Sequence, residues 1–115
     1  MAWVRTPFSG GSKIPEDVKR RVSKRILDCA ESNFSGRYKR IAIRFKMQFC
    51  YIDAYAENED YPTHLCRLRY FNEESWGAAL YAYSSEKYED TFFMSFDGFV
   101  KPEDAFLQAA TLYIG

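Results

Sequence analysis

His64 is the single histidine of this chain, and histidine is the side chain whose ordinary pKa lies nearest neutrality. It opens a strand-like run close to Glu59 and Asp60. A histidine held by a carboxylate can take a proton from a hydroxyl or a water, so His64 with Asp53 or Glu59 is a general-base candidate. No G-x-S-x-G or comparable nucleophile motif accompanies it, and a lone histidine at a strand edge is more often structural. Enzymatic activity is therefore the weaker expectation, and no other catalytic residue stands out. One histidine also rules out the paired spacings H-x-H, H-x-x-x-H and H-E-x-x-H. Cys29, Cys50 and Cys66 are odd in number and lack C-x-x-C spacing. Neither a zinc site nor a disulfide framework is expected, and the three read as buried thiols. No cofactor is expected either. Ser9-Gly10-Gly11-Ser12-Lys13 lacks the G-x-x-x-x-G-K-[ST] pattern of a phosphate loop, and no strand precedes it.

A second constellation is basic and aromatic. Arg44 and Lys46 alternate along one expected strand, and Arg67 and Arg69 along the next, all outward, with Tyr81 and Tyr83 nearby. Cations interleaved with exposed rings can hold single-stranded nucleic acid by phosphate contact and base stacking. Gly36-Arg37-Tyr38-Lys39-Arg40-Ile41 loosely echoes the signature of RNA-recognition motifs, but the later aromatic spacing and the element order do not fit. The plainer reading is a solvated sheet face with cross-strand pairs, to which Glu89 and Thr91 would contribute. It is preferred over nucleic acid. The helix cluster Lys19-Arg20-Arg21 with Lys24-Arg25 has local partners, Asp17 for Arg21 and Asp28 for Lys24, and reads as a solvated face. The acidic pairs Glu59-Asp60, Glu73-Glu74, Glu89-Asp90 and Glu103-Asp104 sit at expected turns or element starts, without calcium-loop spacing.

Aromatic residues make up 18% of the chain, which argues for a folded, strand-containing domain. Phe45, Phe49, Tyr51, Tyr70, Phe92, Phe96, Phe106 and Tyr113 are all expected to reach one interior. A cavity there would suit a small apolar ligand, with Tyr51, Asp53 and Tyr55 supplying polar groups at its rim. The alternative is a packed core with leftover rings at a homo-oligomer or protein-partner interface.

The elements that must position these residues follow from periodicity. Residues 1–13 read as a flexible arm and residues 14–115 as a single domain. A helix begins at Pro15; Val18, Val22, Ile26, Cys29 and Ala30 form its apolar stripe, and Asn33–Gly36 end it. Ile41, Ile43, Phe45, Met47 and Phe49 alternate with polar residues as one long strand, continuing to about Tyr55. The second strand covers His64–Phe71, with Cys66, Leu68 and Tyr70 inward. The third covers Trp76–Tyr83, with Ala78, Leu80 and Ala82 inward. The fourth carries Phe92, Met94 and Phe96 inward, and Asp97-Gly98 makes a turn. Pro102-Glu103-Asp104 opens a last helix. The expectation is a two-layer α+β domain: a four-stranded antiparallel meander with both helices on one face, in the order α-β-β-β-β-α.

Charge is segregated along the chain. Residues 1–46 hold twelve Lys/Arg and four Asp/Glu, a net +8, and residues 47–115 hold four and twelve, a net −8. Such asymmetry can mark a partner surface. No apolar run reaches the roughly 20 residues of a membrane span, and the first residues lack a secretory pattern. A cytoplasmic protein without membrane association is expected.

Pro62–Phe71, Trp76, Tyr83–Glu89, Phe49–Tyr55 and the helix start Pro102–Phe106 together give this chain a resemblance to a group of small uncharacterised bacterial proteins, some of them carried as gene cassettes in integrons and other mobile elements. The resemblance spans residue 36 or so to the C-terminus. It implies a compact bacterial cytoplasmic protein and transfers no catalytic residue. The sequence thus points first to a small non-enzymatic binding or interaction module using an aromatic pocket or a sheet face, then to a nucleic-acid-binding face, then to an enzyme centred on His64.

Overall fold

Val18, Val22, Ile26, Ala30 and Phe34 recur at every fourth position, so a helix over them buries one continuous stripe. That helix is α1, Glu16–Phe34, and all five side chains are buried. Pro15 precedes it, Glu16 and Asp17 occupy its first turn, and Gly36, with φ of 82°, turns the chain away. The computed structural model describes residues 7–90 and 98–114. Its strands are β1 (Arg40–Lys46), β2 (Phe49–Tyr55), β3 (Thr63–Asn72), β4 (Ser75–Ala82), β5 (Lys87–Asp90) and the short β6 (Phe99–Val100), followed by α2 (Pro102–Tyr113).

The fold is the two-layer α+β arrangement. The sheet is antiparallel throughout, in the order β1-β2-β3-β4-β5, so consecutive strands are neighbours. β6 also pairs with β4, through Trp76–Val100 and Gly77–Phe99. One face of the sheet and both helices enclose the core. Trp76, Phe106, Ile14, Ile26, Ile52, Leu65 and Leu68 are its largest fully buried members. The rings of Phe34 and Phe106 meet edge to face at 6.0 Å.

The strand count differs from the expected four, and the reason lies in the first expected strand. It is a hairpin, closed by the two residues Met47 and Gln48 between Lys46 and Phe49. Met47 takes a left-handed φ of 55°, a conformation usually signalled by Gly, Asn or Asp. With no such signal, the alternation reads straight through the turn. The two-residue turn also reverses parity. Ile41, Ile43 and Phe45 face the helices, but on β2 that face belongs to Cys50, Ile52 and Ala54. Phe49 and Tyr51 therefore lie on the outer face instead of in the interior, and Met47 is exposed. Further along, β4 ends at Ala82, and Tyr83 opens a turn instead of closing the strand. On β5, Tyr88 and Asp90 share the outer face of Tyr81 and Ala79, whereas Glu89, expected there, pairs with inward Leu80. Thr91, Phe92, Met94, Phe96 and Asp97 lie outside the described residues.

The oppositely charged halves of the sequence meet in space. Arg21 bonds Asp17 at 2.9 Å and Glu73 at 2.8 Å. Arg25 bonds Glu103 at 2.7 Å and also Glu74. These pairs tie α1 to the β3–β4 turn and to the first turn of α2. The Arg21 guanidinium holds the Glu73 carboxyl below the usual carboxylate range. Within the expected arm, residues 7–13, the chain crosses the hairpin end of the sheet. Ser12 N–H donates to the Tyr70 carbonyl at 3.2 Å, and next to this segment Ile14 N–H donates to the Met47 carbonyl at 3.1 Å. Pro7, buried, sets its carbonyl against Gly77 on the outer face, where a Cβ would lie 1.7 Å from the oxygen. Only a glycine admits that approach.

Candidate functional site on the outer sheet face

Among the described residues, Asp53 is the one buried charged side chain, with 4% of its surface exposed. It stands mid-strand on β2, between Ala42 of β1 and His64 of β3. A register shift between Ile52 and Asp53 brings His64 to that place. Ile52 pairs with Cys66 and Asp53 with His64, so Leu65 is an extra residue in β3. Strict alternation from inward Cys66 would turn His64 toward the helices. The bulge instead buries Leu65 beside Cys66 and turns His64 outward onto Asp53.

His64 Nδ1–H donates to Asp53 Oδ1 at 2.9 Å, which leaves Nε2 as the basic nitrogen. The other carboxylate oxygen, Oδ2, lies 3.8 Å from the Arg44 guanidinium. From these two contacts a closed circuit of side chains can be traced. Arg44 covers the ring of Tyr51 at 4.8 Å, Tyr51 meets Tyr88 at 5.6 Å, Tyr88 meets Tyr81 at 5.0 Å, and Tyr81 lies against the His64 ring at 4.8 Å. Burial, then the nearby Asp53 carboxylate, push the Tyr88 hydroxyl well above the usual phenol range, so it stays protonated. His64 retains about a third of its side-chain exposure, 34%.

Beside this circuit lies a more cationic strip. Arg67 stacks on Phe49 at 4.6 Å and approaches Asp90 at 3.7 Å. Arg69 packs on the same Phe49 ring at 4.7 Å and donates to the Gly10 carbonyl at 3.0 Å. Burial, and after it the neighbouring Arg67, lower the Arg69 pKa. Lys46 is exposed and pairs with Phe49 across the hairpin.

The outer face thus gathers most of the residues singled out in the sequence. Arg44, Lys46, Arg67 and Arg69 stand with Tyr51, Asp53, Tyr55 and Tyr81. Tyr51, Asp53 and Tyr55 belong to this surface and not to the rim of an interior cavity, and Arg40 covers Tyr55 at 4.1 Å. Tyr83 borders the site from its turn. Its hydroxyl accepts from the His64 N–H at 2.7 Å and donates to the His64 carbonyl at 3.3 Å, replacing the β4 partner that the ladder lacks there. Tyr113 of α2 donates its hydroxyl to the Tyr81 carbonyl. The carboxylate that holds His64 is Asp53, while Glu59 and Asp60 lie exposed in the β2–β3 loop.

Phe49, Tyr88 and Asp90 are members that alternation did not reveal. Phe49 was hidden by the unmarked turn. Leu65 beside Cys66, two adjacent core-type residues, is the one sequence trace of the bulge. Among the described residues, no three His, Cys, Asp or Glu side chains gather as a metal site, and no helix is long and apolar enough to cross a membrane. The arrangement offers a fixed basic nitrogen, guanidinium groups for an anion and rings for a planar group, all on the face opposite the helices. No family model, no curated protein and no solved structure matches the chain.

Proposed function

We propose that the protein is a binding module whose outer sheet face takes single-stranded nucleic acid. The observation that carries this reading is that Arg44, Arg67 and Arg69 each lie against an aromatic ring on one sheet face, at 4.8, 4.6 and 4.7 Å. Their carboxylate contacts are long, 3.8 Å for Arg44 and 3.7 Å for Arg67, beyond the span of charge-assisted hydrogen bonds. Guanidinium N–H groups therefore remain for phosphate oxygens, while guanidinium planes and tyrosine rings offer stacking surfaces to bases. An interior apolar site has less support, because Phe49 and Tyr51 belong to the outer face and the largest core side chains are fully buried. A cytoplasmic setting suits three unpaired thiols.

The test is fluorescence anisotropy with a labelled single-stranded oligonucleotide of about 12 nucleotides, a length within the span of such faces. Binding is expected at low salt, weakening as salt rises, with Arg67→Ala costing about tenfold in affinity, the worth of one charge-assisted contact. No detectable binding at low salt overturns the proposal.

A further inference from the structure

We infer that this face also cleaves single-stranded RNA, with His64 as the general base; the inference rests on the nucleic-acid reading of the same surface. A face that only binds phosphate and bases needs no buried carboxylate. Here the one buried charge among the described residues is Asp53, 4% exposed; one oxygen accepts from an imidazole at 2.9 Å and the other faces a guanidinium at 3.8 Å. The first contact keeps the proton on Nδ1 and leaves Nε2 able to accept one. The second keeps a cation one carboxylate away, where it can meet a phosphate whose sugar lies at His64. This pairing suits attack by a ribose 2′-hydroxyl on its own 3′-phosphate. His64 Nε2 takes the hydroxyl proton, the 2′-oxygen bonds to phosphorus, and the bond from phosphorus to the next 5′-oxygen breaks. That oxygen takes a proton from water, and the proton later shed by His64 neutralises the hydroxide left behind. The products are a 2′,3′-cyclic phosphate and a 5′-hydroxyl, and Arg44 balances charge on the phosphate oxygens as the new bond forms.

The experiment incubates the purified protein with 5′-labelled single-stranded RNA in the presence of a chelator and identifies the new ends. Wild type is expected to give 2′,3′-cyclic ends, and none when every 2′-hydroxyl is replaced by 2′-O-methyl. His64→Asn keeps an N–H for Asp53 but cannot take up a proton, so it should cleave at least about 100-fold more slowly while losing far less affinity for the 2′-O-methyl strand. Asp53→Asn should slow cleavage and displace the pH–rate profile. If wild type binds the strand but leaves RNA intact, cleaves the 2′-O-methyl strand, or His64→Asn keeps the wild-type rate, the inference falls and the binding reading stands. If no strand binds, both fall.

Discussion

A carboxylate with 6% side-chain exposure and a histidine with 34% are unequal partners, and their removal should cost unequally. His64→Ala leaves Asp53 charged, buried and held only by the longer contact to Arg44. An orphaned buried charge of this kind costs about 1.5–3 kcal/mol. Asp53→Ala leaves the His64 Nδ1–H and Arg44, both of which can reach water, so its cost should be smaller, about 1 kcal/mol. Urea denaturation of the two variants checks the order; equal losses, or a larger loss for Asp53→Ala, would mean that the carboxylate is not effectively buried. The thiols give a second expectation. Cys50 and Cys66 are fully buried, and burial raises both pKa values. An unfolded thiol ionises near pH 8.5, whereas these ionise in the folded state only at much higher pH. Their contribution is therefore full below about pH 8.5 and drains away as pH climbs above it. Stability measured from pH 8 to 10.5 should decline, and Cys66→Val should lessen the decline. Under native conditions a thiol reagent should reach Cys29 well before either buried cysteine.

At the level of elements, both helices, the meander and the core face of β3 and β4 follow from periodicity, because a buried stripe repeats at a fixed interval. What periodicity missed are the places where one or two residues reset parity. Met47-Gln48 reversed the facing of β2, and Leu65 reversed that of His64. The candidate site sits across these two resets. Its residue types were legible, but the join between Asp53 and His64 was one of two options, and Tyr88 and Phe49 were not placed there at all. A glycine shows the same limit. Gly77 lies in β4 with no turn to require it, and only the Pro7 carbonyl, where a Cβ would sit 1.7 Å away, explains it. Gly77→Ala must therefore displace the N-terminal segment or bend the strand, at an expected cost of about 1–3 kcal/mol. Thermal denaturation measures that cost, and limited proteolysis separates the alternatives: early cleavage near Pro7 marks a displaced segment. A neutral Gly77→Ala would mean that the segment does not rest there in solution.

Over the whole molecule, the +8 and −8 halves of the sequence do not become opposite poles. The cations of α1 are largely matched: Arg21 by Asp17 and Glu73, Arg25 by Glu103 and Glu74, and Lys24 by Asp28. Among the described residues, the outer face is left with Arg40, Arg44, Lys46, Arg67 and Arg69 against Asp53 and Asp90, an excess of positive charge on a molecule of zero net charge. Binding of a polyanion there should be governed by that local excess and not by the neutral total. For single strands, the logarithm of affinity falls with the logarithm of salt at a slope of about −0.7 per phosphate neutralised. If Arg44, Lys46, Arg67 and Arg69 each neutralise one phosphate, the slope should be about −3. Arg67→Ala should flatten it by about 0.7, whereas Arg21→Ala on the opposite layer should weaken folding and leave the slope unchanged. Titrations from low to physiological salt on all three proteins read this directly. Flattening by Arg21→Ala with no change for Arg67→Ala would place the polyanion on the helical layer and remove the sheet face from the account of binding.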